Sequence, residues 1–225
     1  MAGTVTALRF QKRNKNRVNV YLDGQFAFGL AAIEAARLRV GQTLGDDEIA
    51  RLQRQDQVER AYERALNFLS YRPRSEAEVR RNLRKNGVED EVVEVAIERL
   101  AQVGMLDDRE FARYWVENRL QFNPRGARAL GHELRQKGVP ASIIAGALAG
   151  FDEEAAARQA SEAGARRLAH LEPGAFRRRL GAYLARRGFS YALIAPLVEE
   201  MLDAVCCEAL SDIDRISKVR DENNE

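Results

Sequence analysis

A short motif occurs three times in this chain, each time as a leucine, three residues that are mostly basic or polar, a glycine and an apolar residue. The copies are Leu83–Val88, Leu134–Val139 and Leu184–Phe189, and their glycines are about 50 residues apart, a period typical of repeat arrays. A proline precedes each copy, at Pro73, Pro124 and Pro173. Each unit is therefore predicted as helix, proline turn, helix, glycine turn, helix. Because about fifty residues bury only a small core, we expect the units to stack into an elongated array.

The predicted helix boundaries have local chemical causes. Proline lacks the backbone donor that a continuing helix needs, so the first helix of each unit ends near it. Ser75, followed three residues later by Glu78, predicts a capping box at the start of the second helix. The recurring glycines fit the left-handed position that ends a helix. The third helices are predicted at Asp90–Val103, Pro140–Ala149 and Tyr191–Met201.

The first residues of the chain have a strand pattern. We predict a three-stranded antiparallel sheet over Val5–Phe10, Val18–Leu22 and Gln25–Leu30, with a hairpin turn at Asp23-Gly24. Such a sheet is too small to be stable alone and should pack on the helices that follow it. Those helices are expected at Ala31–Leu38 and from Asp46 to about Tyr71.

The fold class is thus mainly α, with tandem three-helix repeats behind a small β-element. The predicted segments are an N-terminal region (1–54), three repeats (55–104, 105–152 and 153–204) and an acidic C-terminal tail (205–225). From the sequence, this tail is compatible with a capping helix, a disordered arm or a modulator.

The bulk composition indicates a soluble cytoplasmic protein, and a monomer is expected. Hydrophobic residues make up 45% of the chain, which is the globular range. The start of the chain lacks the pattern of a signal peptide, and no apolar stretch approaches a membrane span. Cys206 and Cys207 are adjacent, which rarely suits disulfide geometry, so a reducing compartment is expected.

The sequence offers no catalytic, metal or cofactor site, and we predict that the chain is not an enzyme. It has no phosphate-binding loop of the G-x-x-x-x-G-K-[ST] type. His132-Glu133 resembles the start of a zinc-protease motif, but Gln136 stands one turn on where a second ligand is needed. His132 and His170 are taken as ordinary surface or turn residues.

Two further features are explained by structural roles. Asp107-Asp108 is interpreted as a helix N-cap. The aromatic residues Tyr71, Tyr114 and Trp115 are able to stack on nucleic-acid bases, but their spacing favours core packing.

Positive charge gathers on the second helix of every unit and on one N-terminal loop. The candidate partner-binding residues are Lys12, Arg13, Lys15, Arg17, Arg72, Arg74, Arg81, Arg84, Lys85, Arg125, Arg128, Arg135, Lys137, Arg178, Arg186 and Arg187. If the units stack in register, these residues form a broken basic ribbon suited to phosphate backbones or to an acidic protein groove. The alternative is that the arginines are solvated or paired with nearby glutamates.

From about Arg60 to Met201 the chain resembles the RecX family of regulators of the RecA recombinase, and its start resembles that family's N-terminal region. The segments that carry the resemblance are Ala65–Ser70, Arg72–Ser75, Leu83–Gly87, Gly104–Asp108, Phe111–Ala112, Gly126 and Leu134–Val139. Met105 replaces a common aromatic residue, the third repeat matches less closely, and the tail from Asp203 lies outside the family pattern.

The resemblance implies a protein of DNA repair, recombination and the SOS response. Such a protein binds RecA filaments along their helical groove, contacts several protomers and inhibits ATP hydrolysis, strand exchange and RecA-promoted repressor cleavage. From the residues alone, two alternatives stay open, a sequence-independent DNA-binding module and a helical-repeat adaptor for another protein. The sequence leaves open whether inhibition or stimulation dominates and which repeat contacts RecA or DNA.

Overall fold

A computed structural model describes residues 2–222 of the chain, and the side chains of residues 2–207. The chain forms two compact units, one up to Asp107 and one from Asp108 onward. The elements, in order, are β1 (Gly3–Phe10), β2 (Arg17–Leu22), β3 (Gln25–Ala31), α1 (Ala32–Ala35), β4 (Thr43–Leu44), α2 (Asp46–Leu69), α3 (Glu76–Lys85), α4 (Asp90–Gln102), α5 (Asp108–Phe122), α6 (Ala127–Gln136), α7 (Ala141–Leu148), α8 (Glu153–Leu168), α9 (Pro173–Arg186) and α10 (Tyr191–Glu222). The predicted fold class, mainly helical with three-helix repeats behind a small antiparallel sheet, is confirmed.

The N-terminal sheet has four strands in the order β3-β2-β1-β4, so the prediction of three strands was incomplete. The hairpin turn is confirmed, because Asp23 and Gly24 both have positive φ, at 47° and 81°, as a primed turn requires. The missed strand β4 is two residues long and pairs with Gly3 and Thr4. Its sequence carries no alternating pattern, since a two-residue strand is too short to show one.

The helix predicted at Ala31–Leu38 is wrong in length, because α1 ends at Ala35. After it the chain turns back toward the sheet through Gly41, whose φ is 91° and whose N–H donates to the Val5 carbonyl at 2.8 Å. Leu38 is therefore buried from a loop rather than from a helix.

Helix α2 contributes to two hydrophobic cores of the first unit. Its Leu52 packs with Val20 and Leu30 of the sheet, so the expectation that the sheet packs on a following helix is confirmed. Its second half packs with α3 and α4, where Leu83 and Leu100 are fully buried. A single helix thus runs across the predicted boundary between residues 54 and 55.

The boundaries of the first repeat follow the predicted local chemistry. Ser75 accepts from the Glu78 N–H at 3.2 Å, and the Glu78 carboxylate accepts from the Ser75 N–H, which completes the capping box. Gly87 has φ 76° between α3 and α4.

The second unit holds one core for each of its two repeats. The second repeat, α5 to α7, is built around Phe111, Leu130 and Leu134. The third repeat, α8 to α10, is built around Phe176 and Leu180.

These two repeats meet through backbone contacts that exclude side chains. The Gly126 N–H donates to the Arg187 carbonyl at 3.0 Å. A Cβ on Gly126 would lie 2.4 Å from the Gly188 carbonyl oxygen, and one on Gly188 would lie 2.6 Å from the Ala129 Cβ. Two glycines therefore permit an approach that any other residue would obstruct.

The last helix is longer than predicted. Helix α10 does not end at Met201 but continues to Glu222, because no glycine or proline interrupts residues 197–222. The side chains of the acidic tail residues Asp212, Asp214, Asp221 and Glu222 lie outside the described residues.

Candidate basic interaction surface

One side of helix α3 is neutralised within the first repeat. The Arg80 guanidinium donates to both Glu94 carboxylate oxygens, at 2.9 to 3.0 Å, and also pairs with Glu76. These hydrogen bonds lower the pKa of Glu94 and raise the pKa of Arg80. Arg84 pairs with Asp90 at 2.7 Å. Arg84 is thus paired with an acidic residue of the next helix, as in the alternative interpretation that the arginines are paired within the chain.

The other side of α3 presents Arg81 and Lys85 to solvent, one helical turn apart. Within the described part of the chain, neither side chain forms an ion pair. This pair is therefore available to a partner.

Two arginines before α3 have structural contacts. Arg72 pairs with Glu78 at 2.9 Å and donates to the Pro73 carbonyl at 2.8 Å. The Arg74 guanidinium lies 4.0 Å from the centre of the Phe68 ring. Burial, together with the charge of Arg72, lowers the pKa of Arg74. Both residues hold the turn between α2 and α3.

In the second repeat, a single carboxylate organises a cluster of cations around the tryptophan. Glu133 is 13% exposed, and its Oε2 accepts from Trp115 Nε1 at 2.7 Å and from Arg119 Nε at 2.8 Å. Its Oε1 accepts from Arg125 at 2.8 Å. The Arg119 guanidinium and the Lys137 ammonium lie 4.5 and 5.0 Å from the Trp115 ring centre. The cluster is held in place by charge-assisted hydrogen bonds and cation–π contacts.

This cluster lines a pocket of about 480 Å³ inside the second unit. We call it the junction pocket, and its lining residues are Trp115, Arg119, Arg125, Ala129, His132, Glu133, Gln136, Lys137 and Arg186. Four of them are cationic, and only Glu133 is anionic. Since Arg186 belongs to the third repeat, two repeats bring their cations to one place, and Arg128 and Arg135 are exposed on the adjoining helix α6.

In the third repeat, as in the first, some arginines are engaged within the protein and others face solvent. Arg177 donates to both Glu199 oxygens, at 2.8 to 3.0 Å, which lowers the pKa of Glu199. Arg187 donates to the Pro124 carbonyl at 2.9 Å and also to Asn123. Arg178 is exposed. Arg187 is therefore part of the packing between repeats, whereas Arg178 faces solvent.

The N-terminal basic loop is exposed except at its end. Lys12, Arg13 and Lys15 face solvent. Arg17, 12% exposed, forms a 2.8 Å ion pair with Asp56 of α2.

The sixteen predicted residues therefore fall into three groups. Five are engaged in intramolecular hydrogen bonds or ion pairs: Arg17, Arg72, Arg84, Arg125 and Arg187. Two, Arg74 and Lys137, pack on aromatic rings. Nine are exposed: Lys12, Arg13, Lys15, Arg81, Lys85, Arg128, Arg135, Arg178 and Arg186. The sequence interpretation missed Arg119 and Glu133, although the four-residue spacing of Trp115 and Arg119 signals that these two side chains meet.

Trp115 packs against the core of the second repeat as predicted. The core placement of Tyr71 and Tyr114 was wrong: Tyr71, beyond the end of α2, is 84% exposed, and Tyr114 is also exposed. His132 lies on the surface, 2.9 Å from Gln136, and Cys206 and Cys207 are exposed.

Helix α5 begins at Asp108, which puts Asp107 at the N-cap position. Among the described residues, no group of three histidine, cysteine or acidic side chains is placed to hold a metal ion. No helix in that part of the chain is both long and apolar enough to cross a membrane.

Family models match the chain in four segments. The "Regulatory protein RecX N-terminal domain" matches residues 3–44. The first, second and third three-helix domains of RecX match residues 61–100, 107–148 and 152–197.

Relatives and solved structures agree with these matches. Proteins named Regulatory protein RecX from Bacillus licheniformis and Bacillus subtilis are each 33% identical to the chain. The alignments cover 87% and 88% of this chain and 76% of each relative. A crystal structure of regulatory protein RecX superposes with a TM-score of 0.68 at 28% identity, covering 90% of this chain and 99% of that one. The crystal structure of RecX from Lactobacillus salivarius gives 0.57 at 25% identity, covering 67% and 99%.

Proposed function

The chain belongs to the RecX family, and from this premise we propose that it regulates a RecA recombinase by binding, without catalysing a reaction itself. The proposed regulator is a cytoplasmic monomer that binds the RecA–DNA filament through the exposed cations of its repeats. Its contacts bridge neighbouring RecA protomers, so that filament assembly, ATP turnover or access of the second DNA is obstructed. Inhibition is the expected direction.

The observation that supports this proposal most is the junction pocket. Its four cations face a single carboxylate, Glu133, which already accepts three hydrogen bonds. A partner that binds there contacts cations that are already held in place. It does not have to break an internal ion pair to reach Arg186. Because the cations come from two repeats, such a partner contacts both repeats at once. Phosphates of filament DNA and acidic patches of protein both have the required charge.

The experiment is a titration of RecA ATPase and strand exchange, with single-stranded DNA and ATP, by the purified full chain. We expect both activities to fall as the protein approaches stoichiometry with RecA. A triple charge reversal of Arg128→Glu, Arg135→Glu and Arg186→Glu should weaken this inhibition, because all three side chains are exposed beside the junction pocket. Since none of them forms an ion pair within the described residues, the fold should be kept.

The matched control reverses three exposed arginines of the same unit that do not line the junction pocket, Arg113, Arg166 and Arg167. It alters the net charge by the same amount and should leave inhibition close to that of the parent chain. Unchanged RecA activities in the presence of the parent chain would refute the proposal. Equal losses of inhibition in both triple variants would show that total charge matters and that the junction pocket does not.

The two alternatives predict different results in the same assays. A plain DNA-binding module binds naked DNA tightly, with affinity that falls steeply as salt rises, and leaves RecA hydrolysis unchanged once DNA is in excess. A helical-repeat adaptor keeps its partner binding after charge reversal at the junction pocket.

A further inference from the structure

The turns that join the first and second helices of the first two repeats have the same construction. Residues 71–75 lie between α2 and α3, and residues 122–126 end α5 and lead into α6. Each segment consists of an aromatic residue, a polar or charged residue, a proline, an arginine and a helix cap. The aromatic residue is exposed to solvent, Tyr71 by 84% and Phe122 by 71%. We call these two segments the proline turns.

The first proline turn is held by its own residues. Pro73 restricts the backbone φ angle, and the capping box of α3 closes directly after it. Arg72, the neighbour of Tyr71, pairs with Glu78 at 2.9 Å and donates to the Pro73 carbonyl at 2.8 Å. Tyr71 is therefore exposed on a turn whose backbone is fixed.

The second proline turn is held by the third repeat. Arg187 donates to the Asn123 side-chain oxygen and, at 2.9 Å, to the Pro124 carbonyl. The Gly126 N–H donates to the Arg187 carbonyl at 3.0 Å, and Pro124 is buried. Different contacts thus fix the same turn in the two repeats, and in both the aromatic ring is left in solvent.

The conserved construction of the two turns includes rings that do not serve the fold. The arginines have internal contacts, since Arg74 lies over the Phe68 ring at 4.0 Å and Arg125 pairs with Glu133 at 2.8 Å. Neither exposed ring packs against any of the four hydrophobic cores of the described residues. Single exposed apolar residues are common on protein surfaces. An exposed ring at the same position of two repeats, each on a fixed turn, indicates instead a surface that a partner covers.

The charge beside the rings favours a protein pocket over nucleic-acid bases. Sites where bases stack combine aromatic rings with cations that contact the phosphates. Four arginines are the only charged residues within three positions of either ring in the sequence. All four are engaged: Arg72, Arg119 and Arg125 pair with glutamates, and Arg74 stacks on Phe68. A pocket lined by apolar side chains needs no such cations.

The third repeat lacks this feature. The cap of α9 is Glu172, and the proline follows the cap instead of preceding it. The residue four positions before the cap, which corresponds to Tyr71 and Phe122, is Leu168. Leu168 packs against the core of its own repeat. Among the described repeats, only the first two therefore present a ring at this position.

We propose that Tyr71 and Phe122 are anchors that enter the same apolar pocket on two subunits of one protein partner. Because the two turns are equivalent, a pocket that accepts one ring accepts the other, and a partner built from identical subunits offers this pocket repeatedly. A RecA filament is such a partner, so the inference rests on the proposed function and adds the chemistry of the contact. Fixed turns reduce the entropy that is lost on binding, and aromatic rings are frequent hot spots of interfaces.

The first test places the photoreactive residue p-benzoylphenylalanine at position 71 or at position 122 of the full chain. Each variant is irradiated with RecA, single-stranded DNA and ATP, and the labelled RecA peptide is identified by mass spectrometry. We expect both positions to label the same RecA segment. Labelling of two unrelated segments, or of none while the chain still inhibits RecA, would overturn the proposal. Position 191, where Tyr191 is 81% exposed at the start of α10, is the control, and labelling of the common segment from there would also overturn it.

The second test measures the concentration of the chain that halves RecA ATPase activity. Tyr71→Ser and Phe122→Ser should each raise this concentration roughly five- to thirtyfold, which corresponds to about 1–2 kcal/mol for the loss of one hot spot. Tyr191→Ser removes a ring of similar exposure and should retain the parent value. The urea midpoint of each variant checks that the fold is kept. Parent values in both anchor variants, or an equal increase in the control, would refute the anchors.

The two proposals fail in different ways. A parent chain without effect on RecA activity refutes the proposed regulation, whereas common labelling of one RecA segment from positions 71 and 122 still supports the anchors as binding contacts. Inhibition by the parent chain that neither anchor variant weakens leaves the proposed function intact and removes the anchors.

Discussion

Replacing Gly126 by alanine probes the close packing of the second and third repeats. Gly126 has φ −69° and ψ 157°, which alanine adopts freely, so backbone strain is not the issue. The added Cβ, however, would lie 2.4 Å from the Gly188 carbonyl oxygen and 2.7 Å from the Gly188 carbonyl carbon. Both are backbone atoms that no side-chain rotation can move. The two repeats would have to separate at this point.

The expected loss of folding free energy has three contributions. Overpacking of one methyl group costs about 1–3 kcal/mol. Separation also weakens the 3.0 Å hydrogen bond from the Gly126 N–H to the Arg187 carbonyl, with a net value of about 0.5–1.5 kcal/mol. Alanine also lowers the conformational entropy of the unfolded chain, which stabilises the folded state by about 0.4–1 kcal/mol. We expect Gly126→Ala to lower the free energy of unfolding of the second unit by about 1–4 kcal/mol.

The assay is urea unfolding followed by intrinsic fluorescence. Trp115 is the sole tryptophan of the chain and belongs to the second unit, so its emission reports on that unit. With m near 1–3 kcal/mol per molar urea, a loss of about 2–3 kcal/mol moves the midpoint by roughly 0.7–3 M.

The control is Gly146→Ala in helix α7, where a Cβ meets no atom within 4 Å. It should stabilise the unit by about 0.5–1 kcal/mol through helix propensity. A Gly126→Ala midpoint equal to that of the parent, or an equal decrease in both variants, would refute the reasoning.

Two further predictions concern the first repeat. Ser75→Ala removes a fully buried cap that accepts from the Glu78 N–H, and it should cost about 1 kcal/mol of stability in urea unfolding followed by circular dichroism; a change within error would rule out a stabilising role for the cap. Arg80→Gln should lower the free energy of unfolding by a constant amount at pH values above 4.5, the usual pKa of a glutamate, and by a smaller amount at lower pH. The reason is that hydrogen bonding to Arg80 lowers the pKa of Glu94 in the folded chain. A group whose folded pKa is depressed stabilises above its unfolded pKa and loses that contribution as pH falls through the folded value. A difference from the parent that grows as pH falls below 4.5 would contradict this assignment.

The features of the fold that were predictable from sequence are those with a local cause. The capping box at Ser75 and the positive φ of Gly87 depend on residues within one turn, and both were predicted correctly. Strand β4 depends instead on a pairing of Thr43 with Thr4, 39 residues away in the chain. Its two residues show no periodicity, so only the folded chain reveals it.

The helices that carry the arginines were predictable from the sequence, but which arginines form internal ion pairs was not. Arg80 and Arg81 are neighbours in sequence, yet Arg80 pairs with Glu94 of the next helix and Arg81 faces solvent. Successive residues on a helix are separated by about 100° of rotation, so a run of arginines is always divided among faces. Which face meets acids depends on the packing of α3 against α4.

Arg186 and Arg187 are also neighbours in sequence with different roles, and this difference matters when the basic surface of the chain is identified. Arg187 bonds the Pro124 carbonyl, so its loss weakens the packing of two repeats. Arg186 lines the junction pocket and is exposed, so its loss removes charge from a surface that otherwise keeps its shape. A charge deletion that ignores this difference mixes a folding defect with a binding defect. A count of arginines in each helix therefore overestimates the charge that a partner can contact, and the contribution of each arginine has to be assigned from its own hydrogen bonds.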